Sequence, residues 1–196
     1  MKQLMTIFCF LVFLIATLNG CTKSSLFNDT EKKIQCHKKN KTNLHPNLEV
    51  NENGLSQSTA HILTEKGEVQ FKFHTKDAPN TVNRIIELAN ECFYDGLTFH
   101  RVVPGFVIQG GDPKGDGTGG SGTRLKAEFN QRKHTAGTVA MARSSDPNSA
   151  DSQFYISMDR HPHLDGQYTV FGQVTEGMDV VKKIEVGDKI IEVYFD

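Results

Sequence analysis

Phe99-His-Arg-Val-Val-Pro-Gly-Phe-Val-Ile-Gln-Gly-Gly-Asp112 sets one cation among aromatic and aliphatic side chains, with an amide close behind. It predicts two short strands, about Leu97 to Val102 and Phe106 to Gln109, on either side of Pro104-Gly105. Arg101, Phe106 and Gln109 then supply a hydrogen-bond donor, an apolar wall and a polar orienter. No nucleophile or proton shuttle stands between them, so the set suits a reaction in which no covalent bond breaks.

Working outward, Ala60 to Thr64 and Val69 to Phe73 flank a turn at Lys66-Gly67 and alternate apolar with polar residues, which predicts a β-hairpin. Val82, Ile85, Ile86 and Ala89 fall at helical spacing, so a first helix is expected over Thr81 to Glu91 with Asn80 as its cap. Further short strands are expected at Thr138 to Arg143, Phe154 to Ser157, Val170 to Val174 and Lys189 to Phe195, with a second helix over Gly177 to Ile184. Many short strands with two helices point to a closed barrel rather than a parallel sheet. Thirteen Phe, no Trp and 17 Gly fit a phenylalanine-filled core threaded by turns.

The N-terminal part has a different character. Lys2 precedes an almost wholly apolar run from Leu4 to Leu18, shorter than the ~20 residues that span a bilayer and matching the charged start and apolar core of a secretory signal peptide over residues 1–20. Leu18-Asn19-Gly20-Cys21 resembles a bacterial lipobox, which makes Cys21 the candidate lipidation site. Ordinary cleavage that leaves a free Cys21 thiol, or an uncleaved anchor, stays open. Residues 21–58 show neither helical nor strand period and read as a polar tether with an end-to-end distance of about 35 Å. The folded domain is expected over 59–196. The protein is therefore expected outside the cytoplasm, as a membrane-anchored lipoprotein facing the periplasm or cell exterior.

Bulk properties and motifs exclude several functions. A net charge of -1 at pH 7 and a pI near 6.7 give no basic surface for a phosphate backbone, so nucleic acid is not an expected partner. Gly115-Asp-Gly-Thr-Gly-Gly120 satisfies the dinucleotide pattern as written, but no strand runs into it and no helix leaves it. No Gly-x-Ser-x-Gly elbow exists for a serine hydrolase. His100 neighbours Arg101 on a strand and so faces the other way, as a satisfied structural histidine. His134, His161 and His163 lack metal-ligand spacing and are expected in loops, and Cys36-His37 with His45 matches no zinc pattern. Cys36 and Cys92 have the option of pairing in an oxidising compartment; two separate thiols is the preferred expectation, because a floppy tether gives a disulfide no geometric support.

The Phe99–Asp112 stretch, followed in order by Met141-Ala142-Arg143, Ser152-Gln-Phe-Tyr-Ile156 and Leu164-Asp-Gly-Gln-Tyr-Thr-Val-Phe-Gly172, resembles the cyclophilin family of peptidyl-prolyl cis-trans isomerases, from about Ala60 to Asp196. The resemblance implies a closed eight-stranded antiparallel barrel capped by two α-helices, monomeric, with no cofactor and no metal. It implies rotation of X-Pro bonds in proline-containing polypeptides. Resonance opposes that rotation by roughly 18 to 20 kcal/mol, and a cation aimed at the prolyl nitrogen weakens the resonance.

By the same resemblance Arg101 is the catalytic arginine, Phe106 the proline-pocket phenylalanine and Gln109 the amide that orients the arginine. Val107, Ala142, Gln153, Tyr155, Leu164 and Tyr168 fall on the remaining pocket positions, with Arg143 beside them where backbone contacts to the peptide are expected. Tyr155 stands where phenylalanine is usual. His163 stands where many cyclosporin-sensitive members carry tryptophan, so weak cyclosporin binding is expected. The rival reading is a non-catalytic module or chaperone that holds proline-containing segments in the same groove.

Overall fold

The computed structural model describes residues 58–195. The expectations for the signal segment, the tether, Cys21 and Cys36 lie outside the described residues. Eight strands, β1 (Thr59–Thr64), β2 (Gly67–Phe73), β3 (Arg101–Val103), β4 (Val107–Gly110), β5 (Thr138–Met141), β6 (Phe154–Ser157), β7 (Val170–Glu176) and β8 (Ile190–Phe195), form one sheet in the order β3-β4-β6-β5-β7-β2-β1-β8. Every pairing is antiparallel. The sheet curls into a half-barrel. No ladder joins its terminal strands β3 and β8; the segments leading into them meet at one bridge, Thr98 to Lys189.

Strand period sorts the side chains into two sets. Ile108 on β4, Val139 and Met141 on β5, Phe154 and Ile156 on β6 and Phe171 on β7 enter the main core, with Phe71, Phe73, Phe99 and Tyr94. Their alternate neighbours Val107, Ala140, Tyr155 and Val170 form a second cluster on the other face, joined by Leu164 and covered by Phe106, Ala142 and Tyr168. The register carries this set across the sheet in one row, with Arg101 opposite Gln109, Gln109 opposite Tyr155, Tyr155 opposite Ala140 and Ala140 opposite Val170. A cation on an edge strand is thereby delivered to the rim of an apolar surface.

Helix α1 (Pro79–Asn90) buries Val82, Ile85, Ile86, Leu88 and Ala89 against the sheet. Its start differs from expectation. Pro79 occupies the first helical position, where a missing N–H costs nothing, so the cap falls on Ala78, which has no side chain to serve it, and Asn80 lies inside the helix. Glu128 does the capping from far along the chain. Its Oε1 accepts from the Asn80 N–H at 3.0 Å and its Oε2 from the Thr81 N–H at 2.8 Å. Because Pro79 has no N–H and the Ala78 N–H bonds the His74 carbonyl, these are the two donors left at the start of the helix.

At the other end, the Phe93 N–H bonds the Leu88 carbonyl at 2.9 Å and the Cys92 N–H bonds Ala89 at 2.8 Å, the paired pattern of a Schellman cap. Cys92 holds the left-handed position, φ 53°, that glycine usually takes. Cys92 is disulfide-bonded, which corrects the expectation of two separate thiols; its partner lies outside the described residues.

Helix α2 (Met178–Val181) is shorter than expected. It starts at Gly177, whose φ of 87° favours glycine, and where a Cβ would run into the Glu68 carbonyl of β2.

Candidate active site

Nine of the residues singled out from sequence line one cavity of about 240 Å³: Arg101, Phe106, Val107, Gln109, Ala142, Arg143, Tyr155, Leu164 and Tyr168. Val107, Tyr155 and Leu164 are buried; Phe106, Ala142 and Tyr168 are half-buried. Arg101 is exposed at the rim, its guanidinium carbon 5.7 Å from the centroid of the Phe106 ring. Its Nη1 approaches Gln109 Oε1 at 3.5 Å, at the limit of a hydrogen bond.

The amide of Gln109 is itself held. Gln109 Nε2 donates to Gln153 Oε1 at 2.9 Å, and Gln153 Nε2 donates to the carbonyls of Gly117 at 3.0 Å and Gly119 at 2.8 Å. Gln153 is thus absent from this lining but lines the neighbouring cavity, between Gln109 and the glycine-rich loop. That loop is wound around Asp112, which is 1 % exposed. Asp112 Oδ1 accepts from the Lys114 N–H at 2.8 Å, and Oδ2 from Gly117 at 2.5 Å and Asp116 at 3.1 Å. Burial alone raises its pKa, yet the converging backbone N–H groups outweigh burial and hold the carboxyl below the usual carboxylate range. A Cβ on Gly119 would collide with this carboxylate.

A second cavity of about 330 Å³ lies next to the first and shares Gln109, Ala142 and Arg143 with it; Arg124, Ser144, Ser149 and Asp151 are among its other walls.

Arg143 is locked rather than free. Its guanidinium carbon lies 4.7 Å from the Tyr168 centroid and 5.7 Å from that of Phe129, while Nε donates to the Gln167 carbonyl at 3.0 Å and Nη1 to Ser144 at 2.8 Å. The Tyr168 face of the cavity is braced by this stack. His163 is not among the residues lining the cavity; it is exposed, and its ring stacks on that of Phe106, 5.9 Å between centroids and 14° apart in plane.

Sequence reasoning placed His134 and His161 in loops without a role, and both stand at the site. His161 meets Phe106 edge-on at 4.6 Å and donates from Nε2 to the Phe106 carbonyl at 3.0 Å. His134 contacts Tyr155 from behind. No local spacing signals either, since each partner lies 21 or more residues away. His100 also differs: both ring nitrogens are buried without a hydrogen-bond partner, so it is not the satisfied histidine expected.

A half-open apolar cavity with an oriented cation on its rim, and no nucleophile against it, defines a site for distorting a bound group rather than cutting one. Comparison with known proteins assigns the class. The model of the cyclophilin-type peptidyl-prolyl cis-trans isomerases matches residues 59–192. A peptidyl-prolyl cis-trans isomerase of Synechococcus elongatus is 48% identical over 136 residues, 68% of this chain and 93% of that protein. Peptidyl-prolyl cis-trans isomerase B of Bacillus subtilis is 47% identical over 138 residues, 69% of this chain and 96% of its own length. Among solved structures, a Cryptosporidium parvum cyclophilin-type isomerase crystallised in the presence of the dipeptide Ala-Pro superposes with a TM-score of 0.67 at 27% identity, covering 70% of this chain and 98% of that one. The chain belongs to the cyclophilin-type peptidyl-prolyl cis-trans isomerase family, and the enzyme is an isomerase.

Proposed function

We propose that this isomerase rotates X-Pro bonds in folding or unfolded exported polypeptides, with the proline ring seated on Phe106, Val107, Tyr155 and Leu164. Arg101 donates to the imide nitrogen as it pyramidalises in the twisted state. The ground-state nitrogen shares its lone pair with the carbonyl and accepts poorly. The bond therefore forms only in the transition state, the condition for raising the rate rather than merely tightening binding. Gln109 holds the guanidinium over the pocket, and Arg143 presents the peptide backbone.

A millionfold acceleration needs about 8 kcal/mol. One charge-assisted hydrogen bond supplies about 1.5 to 3 kcal/mol, so desolvation and positioning of the peptide carry the rest. The observation that bears the reading is the cross-strand opposition of Arg101 and Gln109 at the edge of an apolar cavity. Turnover of a proline tetrapeptide, followed by exchange NMR, tests it. Arg101→Ala should lose orders of magnitude in kcat/KM with an unchanged circular dichroism spectrum, and retained turnover defeats the mechanism. A non-catalytic module would bind the peptide without accelerating exchange in the wild type.

The folded unit is read as a monomer without cofactor or metal. Its half-barrel is read as closed through the hydrogen bonds from Gly96 to Ile190 at 2.7 Å and from Phe99 to Asp188 at 2.9 Å. The apolar run before Cys21 supports export and lipid anchoring. Incorporation of labelled fatty acid that Cys21→Ser abolishes is the expected result.

A further inference from the structure

A buried titratable group stands directly behind the proline pocket. His134 is 0 % exposed, in the loop that leads into β5. Its Nε2 lies 2.8 Å from the Tyr155 hydroxyl and its Nδ1 3.3 Å from Asp165 Oδ1. The ring is nearly parallel to Tyr155, 16° apart at 6.0 Å, and edge-on to Tyr168 at 6.3 Å.

Asp165 is fixed in turn. It accepts from the His134 backbone N–H at 2.8 Å and from Arg160 Nη2 at 2.7 Å and Nη1 at 3.2 Å, with Lys133 Nζ at 3.7 Å. Because Asp165 directly follows Leu164, the histidine ties the β6 wall of the pocket to the wall built by Leu164 and Tyr168.

An ionised carboxylate only accepts hydrogen bonds, so Nδ1 carries the proton of the neutral ring and Nε2 accepts from the Tyr155 O–H. Burial pushes the His134 pKa down, against the pull of Asp165. Burial, with Tyr168 adding to it, pushes that of Tyr155 up. Both partners are thus neutral at neutral pH, and the donor direction is set. Protonating the ring would make Nε2 a donor, swing the Tyr155 hydroxyl proton off that axis, and place a charge behind the apolar floor.

We propose that neutral His134 is a positioning residue for the isomerase pocket, holding Tyr155 and the Leu164–Tyr168 segment in their peptide-binding arrangement, so that protonation of His134 and binding of a proline peptide oppose each other. This rests on the isomerase reading of the site. Reciprocity makes it measurable, since a proton that weakens peptide binding must itself be bound less tightly when peptide is present.

Several charged or titratable groups face the ring: Asp165 and Arg160 from the segment after β6, Lys133 beside it in the chain, His161 across the loop, and Tyr155 and Tyr168 from the pocket. His161 and His163 sit against Phe106, so the measurement has to resolve each histidine.

Histidine-ring NMR on the full chain, titrated from acid to neutral pH with and without saturating Ala-Pro-containing tetrapeptide, provides that resolution. Peptide should lower the His134 midpoint by about half a unit or more, equivalent to roughly threefold weaker peptide binding when the ring is protonated. The acid limb of wild-type kcat/KM should fall at that midpoint. Tyr155→Phe keeps the aromatic ring but removes the hydroxyl, and should weaken both the peptide-induced shift and the acid limb, leaving only the part carried by the ring charge and Asp165. A merely structural histidine would instead change activity equally at all pH values. The inference is overturned if peptide perturbs Phe106 and Tyr155 while the His134 midpoint stays put. If peptide perturbs neither residue and exchange is not accelerated, the pocket reading beneath it falls instead.

Discussion

Gln109 donates from Nε2 to Gln153 Oε1 at 2.9 Å, which joins the rim of the cavity to the residue that holds the glycine-rich loop. Because Gln153 spends both donor hydrogens on Gly117 and Gly119, its oxygen has to face Gln109. That fixes the Gln109 amide with its own oxygen toward Arg101. The orientation of the cation thus traces back to backbone carbonyls held by the buried Asp112.

Replacing Gln153 by leucine removes the acceptor and frees Gln109 to flip. The expected result is a loss of about tenfold in kcat, the equivalent of one hydrogen bond of about 1.4 kcal/mol, with the smaller change in KM, because Gln153 lines the neighbouring cavity and not the one that seats the proline ring. Steady-state kinetics on a proline tetrapeptide check this. A loss confined to KM would show that Gln153 acts as a binding surface instead.

Glu128→Ala should cost about 1 to 2 kcal/mol by stripping the start of α1 of both its caps. For a domain of this size that is a drop of several degrees in Tm. Glu128→Gln keeps one oxygen acceptor and should recover about half of the loss, which thermal melts followed by circular dichroism would report.

What the sequence made legible, and what it did not, divides along physical lines. Alternation of Val107, Ile108 and Gln109, or of Phe154, Tyr155 and Ile156, places every second residue at the site, because a strand has a period of two. The row from Arg101 to Tyr155 follows once those strands pair. Glu128, Asp165 and His134 were illegible because their partners lie 21 to 48 residues away and no periodicity connects them. Asn80 misled as a cap because Pro79 took the first helical position and moved the cap back to Ala78. The short α2 was overestimated because apolar spacing continues through Ile184, whereas the helix itself ends at Val181.

Stability should fall between neutral and mildly acid pH. His134 and His74 both have pKa values lowered in the fold, His134 by burial that outweighs the upward pull of Asp165, His74 by burial and then by Arg132. The unfolded chain therefore binds more protons just below its histidine pKa of about 6.5. The stabilisation is complete above that pH and is lost as pH drops toward the folded values. Asp112 and Asp165 are shifted down as well, Asp165 chiefly by Arg160, but their contribution is lost only below about pH 4. Urea midpoints at pH 7.5 and 5.5 should differ, the acid one being lower, and a flat profile across that interval would contradict it.

By the family resemblance His163 stands where many cyclosporin-sensitive members carry tryptophan, and its exposed ring is stacked on Phe106, outside the cavity lining. An imidazole has less apolar area than an indole and a larger desolvation cost, so it makes a poorer surface for a bulky apolar cyclic peptide. His163→Trp should lower the inhibitory concentration of cyclosporin by tenfold or more, on the scale of about 1.5 to 3 kcal/mol for one newly buried large apolar side chain, while leaving uninhibited turnover within about twofold. The second expectation follows from the geometry, since Arg101 and Gln109 reach their positions through the β3–β4 register without help from this residue. Inhibitor titrations of the two proteins at equal activity check both, and equal inhibition would show that residue 163 does not govern the affinity.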